Sequence, residues 1–239
     1  MIKAVLFDFR DTLLDVKQGY QACNLLLQQF VNQYNSIDPD KLQSDFKESI
    51  SEVIAETKNN NTHIHNWNAL FLLNLFKKLG INLTPSEFND FLEKYDMEFA
   101  KKCHLYPDAH KLLDQLKERG IKMGVIIDGT SKRERMIIKN LSLEKYFDTI
   151  SISEEVGHNK FTDEPLKEAL SEINTPPSEV LVVGDRLDKD IIHANKLGCT
   201  SIKLERHQGR YTDTTAISDQ EKPKHLINSL DKLTAYLNR

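Results

Sequence analysis

Apolar and polar positions along this chain follow two rhythms, and the changes between them mark its organisation. Residues 2–9, IKAVLFDF, form a short apolar run interrupted once before Asp8, as in a strand buried on both faces of a parallel sheet. From Val16 to about Lys102 the spacing changes. Cys23, Leu26, Leu27, Phe30, Val31 and Tyr34 recur at three- and four-residue intervals, which predicts an amphipathic helix. Similar patterns predict helices over 40–58 and 67–79. Thr84-Pro85-Ser86-Glu87 reads as a capping box with proline at the first helical position, so a fourth helix should begin there. No convincing strand interrupts this block.

After Tyr106-Pro107 the rhythm alternates. It predicts a helix over 108–119, a strand over 122–127, a helix over 132–140, a strand over 149–153 and a helix over 164–173, then a strand over 180–183, a helix over 189–197 and a strand over 200–204. Gly120 and Gly198 fall where two of these helices should end. Residues 209–223 read as an irregular connection, and 224–237 as a last helix. Alternating helix and strand implies right-handed crossovers and a parallel sheet. The expected architecture is an α/β, Rossmann-like parallel-sheet core with helices on both faces, built from residues 1–15 and 103–239. Residues 16–102 are a helical unit inserted in it.

Composition narrows the partners. The formal charge is −4, with acidic and basic residues interspersed and no stripe to track a nucleic-acid backbone, so nucleic acid is not an expected partner. Cys23, Cys103 and Cys199 are far apart and odd in number, which fits neither a disulfide framework nor a zinc site. No run approaches the ~20 apolar residues of a membrane span. A cytoplasmic protein with no membrane partner is the expectation.

The candidate chemistry gathers at strand ends. Asp8 ends the first strand, and in open α/β sheets ligands bind outside the carboxyl ends of strands. The strand over 180–183 runs into the acidic loop Gly184-Asp185-Arg186-Leu187-Asp188-Lys189-Asp190, and the strand over 122–127 into Asp128-Gly129-Thr130-Ser131. Lys160 lies in Gly157-His158-Asn159-Lys160. Such a set suits phosphoryl transfer. Mg²⁺ takes one or two carboxylates plus water and substrate oxygens, which Asp8 and Asp185 can supply. Lys160 would neutralise phosphoryl charge, and backbone N–H groups of the Asp128, Gly129, Thr130 turn would cradle the substrate's oxygens. The Asp8 carboxylate is placed to attack phosphorus.

Over essentially the whole chain this layout resembles the haloacid dehalogenase-like superfamily, in the form whose helical cap is inserted between the first and second motifs. The residues that carry the resemblance are GDRLDKD at 184–190, Asp8 in FDFRDTL, and Lys160. It implies a hydrolase with Asp8 and Lys160 as catalytic residues, a metal at the positions of Asp8, Arg10 and Asp185, Asp190 supporting Lys160, and a phosphorylated small molecule as substrate.

Three positions depart from that pattern. Phosphatases of the family carry a second Asp two residues after the first, which protonates the leaving group and later activates water; here Arg10 stands there. Ile127 stands where a Thr or Ser hydroxyl usually binds phosphate, and Phe161 follows Lys160 where proline is usual. A guanidinium stays protonated at physiological pH, so Arg10 cannot exchange protons. Residues two apart in extended chain share a side, so Arg10 should lean into the pocket of Asp8, to pair with it or to bind anionic substrate, while Asp11 should face away. Thr130 or Ser131 is expected to make good part of the lost hydroxyl. Losing acid–base assistance is worth about 10²–10⁴-fold, which implies a weakened enzyme. Two alternatives stand beside this: a catalytically inactive relative that binds a phosphorylated ligand or protein partner, and a haloacid dehalogenase with Arg10 on the halide or carboxylate. His63 and His65 read as solvated loop histidines, and the apolar face of 67–76 as core of the inserted unit.

Overall fold

The structure, a computed structural model, describes residues 1–60, 66–206 and 218–237. His63, His65 and most of the 209–223 connection lie outside the described residues. The chain divides into two compact units, Met1–Asp15 with His104–Arg239, and Val16–Cys103.

The first unit is built on a six-stranded, wholly parallel sheet: β1 (Ala4–Asp8), β4 (Lys122–Ile127), β5 (Thr149–Ile152), β6 (Val180–Gly184), β7 (Thr200–Leu204) and β8 (His225–Ile227). The strand order is β5-β4-β1-β6-β7-β8. After β1 the chain builds outward on one side through β4 and β5, then crosses back to β6 and builds outward on the other. The switch point therefore lies at the carboxyl end of β1, between the ends of β4 and β6, where a crevice opens because the crossovers leave in opposite directions. Ala4, Val5, Leu6 and Phe7 are wholly buried, which explains the near-continuous apolar run. Burying each large apolar side chain stabilises the sheet by roughly 1.5–3 kcal/mol. Helices α5 (Pro107–Glu118), α6 (Ser131–Asn140) and α8 (Glu164–Ile173) connect the strands.

A short antiparallel ladder, β2 (Leu14–Asp15) with β3 (His104–Leu105), pins together the places where the chain leaves this unit and returns to it. Strands of two residues have no periodicity to read, and the sequence pattern missed them. The last helix expected over 224–237 is not formed. His225–Ile227 joins the sheet edge as β8, and Leu230–Tyr236 is a 3₁₀ helix. The local cause is Asp108, which accepts from the Ser229 hydroxyl and the Leu230 N–H and so fixes a helix start after the strand. The strand over 149–153 ends a residue early because Ser153 opens a single turn, α7 (Ser153–Val156). The helix over 189–197 begins as a π-helical turn, Leu187–Ile191, before α9 (Ile192–Lys196).

Among the described residues the second unit holds four helices: α1 (Lys17–Val31), α2 (Pro39–Asn60), α3 (Trp67–Lys78) and α4 (Pro85–Lys102). The capping box at α4 is present in both directions, Glu87 N–H to Thr84 Oγ1 and Thr84 N–H to Glu87 Oε2. Leu72, Leu75 and Phe76 of α3 are buried, and Phe30, Phe76 and Phe91 meet at ring-centroid distances of 4.3–5.5 Å, so this unit has its own core.

Candidate active site

Four segments of the first unit meet at the switch point. Asp8 ends β1, Ile127 and Asp128 end β4, Gly184-Asp185 ends β6, and Lys160 comes from the loop before α8. They line a cleft of about 120 Å³ together with Arg10, Asp11 and Lys189. The register places them: Asp8 lies opposite Ile126, and Phe7 opposite Val183. Gly184 is required here, because a Cβ would stand 2.3 Å from the Asp190 carboxyl group.

Lys160 is the hub. Its ammonium is buried and donates to Asp8 Oδ1 at 2.5 Å, to Asp190 Oδ1 at 2.6 Å and to the Ile126 carbonyl at 3.2 Å. Burial opposes its charge, but the carboxylates of Asp190, Asp8 and Asp128 outweigh that and hold its pKa above the ordinary lysine value. Asp190 is used at both oxygens, the second accepting from the Arg186 N–H. Asp128 accepts from the Lys160 backbone N–H at 2.8 Å and from Lys189 Nζ at 2.5 Å. Burial raises the Asp128 pKa, yet the two lysines bring it below the usual carboxylate value. Its carboxylate clasps two loops together at the wall of the cleft.

Two carboxylate oxygens remain. Asp8 Oδ2 and Asp185 Oδ2 are buried with no hydrogen-bond partner. Asp8, Asp185 and Asp190 bring ligand atoms within 4.8 Å of one another. Burial, then the charges of Asp8, Asp190 and Asp11, push Asp185 up to about 9, with Lys160 opposing. A hard cation matches this donor set: two orphaned carboxylate oxygens in a cleft, with Asp190 already committed to Lys160. Arg10, the third expected metal position, does not bring a ligand by its side chain, because a guanidinium has no lone pair to give. The third acid within that distance is Asp190, whose two oxygens already accept from Lys160 and the Arg186 N–H.

Arg10 lines the cleft with Asp8, and its guanidinium forms an ion pair with Glu134 of α6. Glu134 is wholly buried, and its Oε1 also accepts from Arg133 Nε at 2.9 Å. Gly129 makes room for this carboxylate, since a Cβ there would come within 2.3 Å of Glu134 Oε1. The amide cradle expected of the 128–131 turn is partly spent inside the fold. Gly129 donates its N–H to Ser153 Oγ at 3.0 Å, and Ser131 donates its own to Glu154 at 2.8 Å. The Ser131 hydroxyl goes to Glu155, and Gly129 and Thr130 are not among the cleft-lining residues. Asp11 does not face away. It is buried and lines the cleft, because its left-handed backbone, φ +59°, breaks the two-residue alternation on which that expectation rested.

Residues 5–204 match the family model described as haloacid dehalogenase-like hydrolase, most of the chain and every segment that lines the cleft. The chain belongs to the haloacid dehalogenase-like hydrolases. It is 31% identical to the glyceraldehyde 3-phosphate phosphatase of Methanopyrus kandleri, over 95% of this chain and 94% of that one. It is 29% identical to that of Methanocaldococcus jannaschii, over 98% and 96%. Among solved structures, an HAD phosphatase from Thermococcus onnurineus superposes with a TM-score of 0.72 at 23% identity, covering 99% of this chain and 98% of that one. A putative HAD-hydrolase from Bacillus subtilis, bound to magnesium, superposes at 0.75 and 20%, over 100% and 99%. At these identities the superpositions speak for the fold.

Sequence reasoning missed Glu134 and the clasp role of Lys189. The available signal for Glu134 was one acid inside the basic run Lys132-Arg133-Glu134-Arg135, on a helix that starts at the candidate site.

Proposed function

We propose that this hydrolase is a Mg²⁺-dependent phosphatase that cleaves small phosphate esters through an aspartyl-phosphate on Asp8. The observation that carries the reading is the buried Lys160 ammonium on Asp8 Oδ1, which leaves the other, buried Asp8 oxygen without a hydrogen-bond partner, as is Asp185 Oδ2 in the same cleft. The names of the Methanopyrus and Methanocaldococcus relatives support phosphate esters as the substrate class. Asp8 and Asp185 would hold the cation, which when bound offsets negative charge on the phosphoryl oxygens. Lys160 orients Asp8 by donating to its Oδ1, and adds positive charge beside the attacked phosphorus. Asp190 and Asp128 hold Lys160 from two sides. Arg10 contributes charge and exchanges no proton.

The test is phosphate release from 4-nitrophenyl phosphate with and without Mg²⁺. Turnover that needs Mg²⁺ and disappears in Asp8→Asn is expected. Silence at high enzyme concentration would favour a relative that only binds its ligand. A dehalogenase reading has one feature in its favour, the cation at Arg10. Against it stands the orphaned pair of carboxylate oxygens, which such chemistry leaves without use. Halide release from a haloacid in the presence of a chelator would establish it.

A further inference from the structure

Apart from Asp11 and the proposed metal ligands Asp8 and Asp185, the charged groups of the cleft are committed to ion pairs and none is placed to deliver a proton to a departing oxygen. Lys160 is spent on Asp8, Asp190 and the Ile126 carbonyl. Lys189 is spent on Asp128, whose two oxygens both accept. Both Asp190 oxygens accept as well. Arg10, two residues after Asp8, stays protonated at any working pH. Glu134 holds its guanidinium in the cleft wall, with about a fifth of the side chain exposed. A fixed cation does for a leaving oxygen what an acid cannot: it stabilises the oxygen as an anion and does not neutralise it. That is useful only if the oxygen leaves as an anion unaided.

Resting on the phosphatase reading, we infer a ranking among its substrates: phosphoryl compounds whose leaving group is already a stable anion, namely acyl phosphates, phosphoanhydrides and aryl phosphates, are cleaved far faster than esters of simple alcohols. In the first step an Asp8 oxygen forms a bond to phosphorus. The bond from phosphorus to the leaving oxygen breaks, and its electron pair departs with that oxygen as a carboxylate, phosphate or phenolate beside Arg10. No proton moves. In the second step water adds to phosphorus, the bond to Asp8 breaks with its electrons returning to the carboxylate, and the water proton passes to solvent. The Asp8 carboxylate is itself a good leaving group, so this step needs no acid either, and with no base placed for the water it is the slower one. Glu134 acts through Arg10 as a positioning residue.

The experiment is a leaving-group series with Mg²⁺: acetyl phosphate, 4-nitrophenyl phosphate and glycerol 1-phosphate, read as kcat/KM, which reports the first step alone. In the wild type, acetyl phosphate should exceed glycerol 1-phosphate by more than the about 10²–10⁴-fold that a general acid contributes. In the double variant Arg10→Asp, Glu134→Gln, the glycerol ester should gain by about that factor while acetyl phosphate changes little. Arg10→Lys should keep the wild-type preference. Glu134→Gln alone should lower kcat/KM for acetyl phosphate and leave the slower dephosphorylation, and so kcat, nearly unchanged. Comparable kcat/KM for glycerol 1-phosphate and acetyl phosphate in the wild type would overturn the inference and leave the phosphatase reading standing. Loss of the glycerol ester's turnover in Asp11→Asn would identify Asp11 as the acid and overturn it as well. Silence on all three substrates, acetyl phosphate included, would sink the phosphatase reading itself. If the double variant does not fold, the wild-type series still decides.

Discussion

Replacing Arg10 by Asp, the change that would restore a phosphatase-like first motif, should damage this protein unless Glu134 changes with it. Glu134 is wholly buried and the Arg10 side chain is 21% exposed. Removing one partner of a buried ion pair costs about 3–5 kcal/mol. Arg133 Nε remains on the same oxygen at 2.9 Å, so the lower end, about 3 kcal/mol, applies to losing the guanidinium. An Asp at position 10 adds repulsion between two carboxylates, about 3 kcal/mol at roughly 6 Å and an effective dielectric constant near 20. Together the two effects put the loss for Arg10→Asp at about 3–6 kcal/mol, a fall in Tm of about 6–24 °C for a chain of this size. Thermal or urea unfolding of wild type, Arg10→Asp, Glu134→Gln and the double variant forms a complete cycle, and the double variant should recover most of the loss. An Arg10→Asp protein as stable as wild type, or a double variant no more stable than Arg10→Asp alone, would refute this account of the pair.

Three further outcomes follow from the same geometry. Asp185 is pushed up to about 9 without a cation, so the native state binds a proton that the unfolded chain has lost above about pH 4. Its contribution to metal-free stability should fall as pH rises toward about 9, and Mg²⁺ affinity measured calorimetrically should rise over the same range. Asp185→Asn should remove both trends. Gly184→Ala forces a Cβ to 2.3 Å from the Asp190 carboxyl, so it should abolish phosphate release, with Lys160 displaced, before it unfolds the sheet. Lys160→Met leaves Asp8 and Asp190 facing each other without their shared cation, and should cost about 3–5 kcal/mol in urea unfolding as well as all turnover.

The sheet and the site's location were legible because the signals were local or ordinal. A continuous apolar run such as 4–7 declares a doubly buried strand, and the order of Asp8, Asp128, Lys160 and Asp185 along alternating strands and helices brings them to one edge. What was hidden depended on contacts remote in sequence. Glu134 is 124 residues from Arg10, and nothing in its helical spacing marks it as that arginine's partner. The strand at His225–Ile227 is decided by pairing with β7 and by Asp108 capping the turn after it, while its own residues suit a helix as well. Asp11 was misread because alternation was carried through a left-handed residue.

The central claim, that Asp8 is the nucleophile of a phosphoryl transfer, is tested most directly by trapping. The protein is mixed with acetyl phosphate and Mg²⁺, quenched in acid within the first turnover, and the peptide containing Asp8 is examined by mass spectrometry. A phosphoryl adduct on Asp8, accumulating toward one per chain and absent from Asp8→Asn, is the expected result. Phosphate release with Asp8 unmodified, or continued in Asp8→Asn, would contradict the account.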